Sequence, residues 1–316
     1  VDNLYLDNPI NYSPKLDYLT PFCDGIKNDI ILPYYNASLI DIREVCNNFP
    51  DDYLWLLFFR DNGQLTTYND ISEWESNNGI AKVINKSLQN SDLPPNLIGV
   101  TSLFTLNMSN NFISDVNFMS NITTVRNTLN LSNNSLTDIS GLTALSSISN
   151  LYLQDNENLG DISSLNNIIT VNDLNLSNTG RTNLNGLDSL TTITGIFDIR
   201  NNPLNDLSFL NQITSANQIQ IDNPDNYTKL DYDTNPICEN INNGSVILFN
   251  NTERLSADRI CSNAPSEFDW LAFFKLYDKG NEFSNYYSMQ EWNTNNTSAD
   301  VSALGLTQTD IPVGSL

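Results

Sequence analysis

One phrase recurs six times between Leu103 and Pro224, and it restricts the chain more than any other feature. It reads Leu106-Asn-Met108-Ser-Asn-Asn111, Leu129-Asn-Leu131-Ser-Asn-Asn134, Leu151-Tyr-Leu153-Gln-Asp-Asn156, Leu174-Asn-Leu176-Ser-Asn-Thr179, Phe197-Asp-Ile199-Arg-Asn-Asn202 and Ile219-Gln-Ile221-Asp-Asn-Pro224. The first core residues of successive copies are 23, 22, 23, 23 and 22 positions apart. A period this regular predicts a solenoid, because one turn cannot bury its own apolar face and must stack on its neighbours.

Two apolar residues alternating with polar ones make a short strand with one buried face. The Asn that closes the phrase falls where the chain turns inward. There its amide can satisfy buried backbone groups that would otherwise cost about 1 kcal/mol or more each. Behind the strands the apolar spacing changes to i, i+3, i+6, as in Leu142, Leu145, Ile148 and Leu165, Ile168, Val171 and Leu187, Leu190, Ile193. That spacing suits a 3₁₀-like or extended outer wall rather than a long helix.

The phrase Leu-x-Leu-x-x-Asn is the signature of leucine-rich repeats. The connecting phrases Leu136-Thr-Asp138-Ile139-Ser-Gly-Leu142, Leu159-Gly-Asp161-Ile162-Ser-Ser-Leu165 and Leu204-Asn-Asp206-Leu207-Ser-Phe-Leu210 resemble the short repeats of bacterial internalins and, less closely, receptor L-domains. The resemblance covers roughly 101–224. It implies an α/β solenoid, a leucine-rich repeat horseshoe or coil with 22–23-residue turns, small helical aromatic N-caps and disulfide-stapled C-caps.

The four cysteines fall into two pairs, Cys23 with Cys46 and Cys238 with Cys261, each 23 residues apart. The chain has no His, and neither spacing is that of a metal knuckle, so two disulfides in an oxidising compartment are expected. No run of about 18 apolar residues occurs, which argues against a membrane-spanning helix. A net charge of −23 disfavours electrostatic binding to nucleic acid or anionic lipid. The expected location is therefore extracellular or on a cell surface.

The second cysteine pair lies 215 residues after the first, and the offset is not confined to cysteines. Leu4-Tyr-Leu6-Asp7-Asn8-Pro9 matches Ile219-Gln-Ile221-Asp222-Asn223-Pro224, and Tyr53-Leu54-Trp55-Leu56 is echoed by Asp269-Trp270-Leu271. Glu73-Trp74 matches Glu291-Trp292 at an offset of 218. The pattern divides the chain into a last turn and C-cap of one unit (1–50), an N-terminal cap segment (51–100), the solenoid (101–224), a disulfide C-cap (225–265) and the cap segment of a following unit (266–316). The aromatic segment Trp270-Leu-Ala-Phe-Phe-Lys-Leu-Tyr-Asp-Lys-Gly280, followed by Trp292, resembles the helical N-terminal cap of secreted leucine-rich repeat proteins. Phe283 stands at the first of that cap's Trp positions, and no cysteine follows. Two arrangements explain the unit boundaries: a window on a longer tandem array, or a subunit completed end to end by neighbouring copies. The first is preferred, and so is an aromatic helix that bridges two units.

With no His, Ser-His-Asp and Cys-His catalysis is excluded, and Asp115, Asp138, Asp161 and Asp206 recur with the repeat as turn residues should. No enzymatic activity and no cofactor is expected. Calcium is the one metal considered, at Asp222, Asp225, Asp231 and Asp233, against plain solvated turns; no Asp-x-Asp-x-Asp-Gly loop is present. Candidate N-glycosylation positions are Asn11, Asn36, Asn85, Asn121, Asn226, Asn243, Asn250 and Asn295. The strand residues between the core positions, Asn107, Asn130, Tyr152, Asn175, Asp198 and Gln220, should line up on the concave sheet face, the candidate surface for a protein or glycan. The function expected is a structural or adhesive extracellular filament of tandem units, with neighbouring copies as partners. The alternative is a receptor- or internalin-like binding module.

Overall fold

The structure is a computed structural model. It describes residues 2–6, 15–17, 19–27, 31–35, 38–39, 42–48, 51–63, 65, 68, 71–97, 100–242, 244–263, 266–277, 286, 288–295, 299–301, 304–307 and 310–312. Its centre is a ten-stranded sheet that follows chain order. The strands run from Ile80–Lys82 through Ser102–Asn107, Thr124–Asn130, Ser147–Tyr152, Asp173–Asn175, Thr192–Asp198 and Ser215–Ile221 to Val246–Asn250, all parallel. An antiparallel strand, Glu253–Leu255, closes one edge, and the short Thr170–Val171 pairs with Thr192–Asp198.

The register is that of stacked repeats. Ala81, Leu106, Leu129, Leu151, Leu174, Phe197, Ile219 and Leu248 form one row of direct strand partners. All eight are buried. Each fully buried Leu, Ile or Phe contributes roughly 1.5–3 kcal/mol of transfer free energy. The row extends one strand past the six phrases at either end. Ile80–Lys82 and Val246–Asn250 carry no Leu-x-Leu-x-x-Asn, yet they pair as strands of the same sheet.

The closing Asn residues form an internal ladder. Asn111 Nδ2 donates to the carbonyls of Val83, Met108 and Ser109, while its Oδ1 accepts from the backbone N–H of Lys86 and Leu88. Asn134 bonds Met108 and Leu131 in the same way, Asn156 bonds Leu131 and Leu153, and Asn202 bonds Leu176 and Ile199. In each case the amide ties its own turn to the one before. At Thr179 the ladder is interrupted: its hydroxyl reaches Leu176 O at 2.8 Å but has no bond to the preceding turn.

The outer wall contains 3₁₀ turns at Asn117–Met119, Ser140–Leu142, Ser163–Leu165 and Ser208–Leu210. The recurring aspartates start them. Oδ1 of Asp115, Asp138, Asp161 and Asp206 accepts the N–H two residues on, at 2.7–3.2 Å. The turn after Thr179 departs from the pattern. Asn183 takes the place of Asp, and Gly186 adopts a φ of 108°. A Cβ at Gly186 would fall 2.6 Å from Ser163 N, so only glycine fits.

Two aromatic helices are built alike. In the helix Asp51–Asn62, Trp55 meets Phe58 edge-on at 5.4 Å and Phe59 at 5.3 Å, and Phe59 lies 5.2 Å from Trp74. In the helix Ser266–Tyr277, Trp270 meets Phe273 edge-on at 5.7 Å and Phe274 at 5.6 Å, and Phe274 stacks on Trp292 at 5.7 Å. Asp51 is the first helical residue of its segment.

The cysteine-bearing segments are also alike. Cys23–Cys46 and Cys238–Cys261 are both disulfide-bonded, and no described cysteine is free. The first cysteine of each pair lies on a seven-residue helix, Pro21–Lys27 or Pro236–Asn242. Each second cysteine opens a two-residue strand that pairs in parallel, Leu16 with Cys46 and Leu230 with Cys261. Replacing both Cys238 and Cys261 by Ser is expected to lower stability by ~3 kcal/mol, the loop-closure value for a bridge of this span. An unchanged denaturant midpoint would show that the strand pairing holds the loop without the bridge.

One apolar core joins the sheet, both cysteine-bearing segments and the helix Asp51–Asn62. It runs without a break from Cys23, Ile42 and Cys46 through Trp55, Phe59 and Trp74 into the solenoid rows and on to Cys238 and Cys261. Trp55 stands where the helix Asp51–Asn62 meets the solenoid. Its ring lies 4.8 Å from that of Phe118 on the first outer-wall turn, and its Nε1–H donates to Pro95 O. On the surface of the same junction Arg43 pairs with Asp61, an exposed ion pair contributing about 0–1 kcal/mol. The segment around Leu271 and Met289 forms a separate small cluster. Among the described residues no helix is long and apolar enough to cross a membrane.

Candidate functional site

Strand alternation places Asn107, Asn130, Tyr152, Asn175, Asp198 and Gln220 in one row of direct partners across the solvent-facing side of the sheet. The row is not uniform. Asn107, Asn130 and Asn175 each accept through Oδ1 the N–H of the Ser two residues on, at 2.9–3.1 Å. These three amides shape the strand exit, a local bond that Asn makes readily. Asp198 accepts the Arg200 N–H at 3.1 Å in the same fashion.

The C-terminal half of the row has more chemistry. Asp198 and Arg200 form a bidentate pair, Nε to Oδ1 at 2.9 Å and Nη2 to Oδ2 at 2.6 Å, with the Asp198 side chain only 10% exposed. The hydrogen bonds to Asp198 raise the Arg200 pKa further. Tyr152 Oη donates to Asp173 Oδ2 at 3.0 Å, and Asp173 Oδ1 accepts the Ile196 N–H at 2.8 Å. Gly195 makes room for that carboxylate: a Cβ there would lie 2.2 Å from Asp173 Oδ1. Together Tyr152, Asp173, Asn175, Ile196, Asp198, Arg200, Gln218 and Gln220 line an open cavity of about 260 Å³. Asp173, Ile196, Arg200 and Gln218 are absent from the sequence candidates. Three of them occupy the outward position just before a core residue, so the same alternation marks them.

Desolvation, then the hydrogen bond to Asp173, pushes the Tyr152 phenol up to about 12; burial and the nearby Asp222 push Tyr227 to about 12 as well. Both favour the neutral phenol in the folded state. Their contribution is complete below the unfolded-state value near 10 and is lost as pH climbs through about 12. Stability is therefore expected to fall between about pH 10 and 12 with a coincident tyrosinate absorbance change, and Tyr152→Phe should remove part of the slope. A slope unaltered by Tyr152→Phe would contradict this assignment.

The calcium candidates are not gathered. Asp222 Oδ2 accepts the Asn201 N–H at 2.8 Å, Asp225 lies 3.9 Å from Arg259, and Asp231 Oδ1 accepts the Asp233 N–H at 3.0 Å. Among the described residues no three acids, cysteines or histidines are grouped to hold a metal. Of the glycosylation candidates, Asn85, Asn121, Asn226 and Asn295 are exposed and Asn250 is half-buried. Asn11, Asn36 and Asn243 lie outside the described residues.

A stacked parallel sheet, an internal Asn ladder and one polar row on the open face give this chain a fold of the leucine-rich repeat type. Among solved structures the chain is similar to the internalin InlF of Listeria monocytogenes str. 4b F2365, at 19% identity over 63% of this chain, with a TM-score of 0.42. It is also similar to internalin C2 of the same strain, at 20% identity over 63% of this chain and 81% of that one, with a TM-score of 0.37. The chain spans 57% of the length of InlF. No protein-family model matches the chain, and no curated protein matches its sequence.

Proposed function

We propose that this chain belongs to an extracellular structural or adhesive surface protein in which leucine-rich repeat units of about 215 residues follow one another with shared cores. The observation that carries the reading is the unbroken apolar core from Cys23 to Cys261. A disulfide segment and a solenoid that share side chains form a stiff joint, whereas independent modules on a linker would not. The duplicated Trp-Phe-Phe-Trp geometry supports repetition of the unit, the second copy forming a small cluster of its own. Neighbouring copies of the unit are its primary partners, and exposed sequons such as Asn121 would carry glycans in a eukaryotic secretory path. The mass of the reduced native polypeptide tests it. A value several-fold above 35.4 kDa is expected; a value near 35.4 kDa would contradict the tandem array.

A second reading is a binding module that uses the open sheet face. It is favoured by the grouping of polar side chains around the cavity between Tyr152 and Gln220, while Asn107 and Asn130 are engaged locally at their strand exits. Binding of the intact chain to cell layers should then fall in the Tyr152→Ala, Asp198→Ala double variant. Unchanged binding would count against it.

A further inference from the structure

We infer that the cavity between Tyr152 and Gln220 takes one neutral sugar ring, the terminal hexose of a glycan; the inference rests on the second reading above and names its ligand class. The starting point is Gln220. It is 6% exposed, it lines the cavity, and its buried Oε1 has no hydrogen-bond partner. A buried acceptor left unpaired is costly, and of the seven buried side-chain polar atoms without a hydrogen-bond partner among the described residues, this is the one whose side chain lines the cavity. Turned into the cavity, the amide can accept a ligand O–H or N–H at Oε1, and that bond removes the deficit.

The neighbours decide what kind of donor fits. A cation would need a free carboxylate, and neither is free. Asp173 accepts from Tyr152 Oη and the Ile196 N–H, and Asp198 is held by Nε and Nη2 of Arg200. An anion would need an unmatched guanidinium, but Arg200 is matched by Asp198 in a chain whose net charge is −23. What remains is uncharged hydrogen-bonding capacity. Asn175 uses only its Oδ1, on Ser177, and Gln218 stands beside the cavity as the direct strand partner of Ile196. Primary amides offer donors and an acceptor at once, which matches hydroxyl groups that both give and accept. Ile196, 42% exposed, and the half-buried Tyr152 ring supply an apolar surface for the C–H face of a pyranose. The volume, about 260 Å³, is at the small end of ligand sites and suits one ring rather than an extended peptide.

The test is titration of the intact chain with galactose, glucose, mannose and N-acetylglucosamine, followed by saturation-transfer NMR, with sialic acid as the charged comparison. At least one neutral sugar is expected to bind with millimolar affinity. Gln220→Ala should weaken it at least tenfold, and the more exposed Gln218→Ala should weaken it several-fold in a chain whose thermal midpoint is unchanged. Arg126→Ala, at an exposed site away from the cavity, should leave it as it is. Binding of sialic acid alone, or neutral-sugar binding indifferent to both glutamine variants, would overturn the assignment. If no sugar binds while the Tyr152→Ala, Asp198→Ala variant still loses adhesion to cells, the sugar inference fails and the binding reading survives with a protein ligand. If neither occurs, both fail.

Discussion

Trp55→Ala is expected to lower stability by about 3–5 kcal/mol and to separate unfolding of the Cys23–Cys46 segment from that of the solenoid. The transfer and cavity terms for a fully buried Trp account for the magnitude. The loss of coupling follows from position. Trp55 touches Phe58 and Phe59 on its own helix and Phe118 on the first outer-wall turn, and it donates to Pro95 O. Removing the ring empties the place where helix and solenoid meet. The check is denaturant unfolding followed by two probes, far-ultraviolet circular dichroism and proteolysis within 15–48. Two separated transitions are predicted for the variant and one for the parent. Trp270→Ala is the internal comparison: Trp270 is only half-buried in the chain described, so its effect should be distinctly smaller.

The second large effect is expected at Asn156. Its side chain is wholly buried, donates to Leu131 O at 3.1 Å and Leu153 O at 2.8 Å, and accepts the Leu136 N–H at 3.0 Å. Asn156→Ala deprives a buried backbone N–H of its acceptor and opens a small cavity. The two costs together come to about 3 kcal/mol or more. Calorimetric or denaturant midpoints of the variant measure it. A loss below about 1 kcal/mol would mean that water replaces the amide, and the ladder would then not be a main source of cohesion between turns. Asn133→Ala is the contrast. That residue adopts a φ of 52° on the surface and donates to Asn110 Oδ1, so its loss should be far smaller.

What could be read from the sequence was whatever the repeat forces. Leu106, Leu129, Leu151, Leu174, Phe197 and Ile219 have to share a row, because a solenoid fixes the register of each turn to the next. The aspartates of the outer wall were legible for the same reason. Four turns repeat the pattern Asp-x-Ser or Asp-x-Asn, and each uses its carboxylate for one 3₁₀ turn. Features that the repeat does not dictate were not legible. The strands Ile80–Lys82 and Val246–Asn250 join the sheet without the phrase, because an exposed strand edge recruits whatever extended segment lies beside it. The left-handed surface positions Asn110, Asn133, Asp155, Asn178 and Asn201 also went unassigned, although Asn or Asp recurs there. Such residues tolerate positive φ through a short polar side chain, a local preference that periodicity of apolar residues does not report. At the candidate site, the row from Asn107 to Gln220 followed from alternation. The grouping of Tyr152 with Asp173, and of Asp198 with Arg200, rests on particular side-chain contacts that alternation along a strand does not report.

The measurement that bears most directly on the proposed stiff joint is native-state hydrogen exchange of the intact, oxidised chain, resolved by peptide. The account predicts that amides of the helix Asp51–Asn62 open together with those of the strands Ser102–Asn107 and Thr124–Asn130, with a common free energy and denaturant dependence. Exchange of the Asp51–Asn62 amides at a much lower free energy, while the strands stay protected, would show that the helix and the disulfide segment before it hang on the solenoid as a separate body, and the shared-core array would be contradicted.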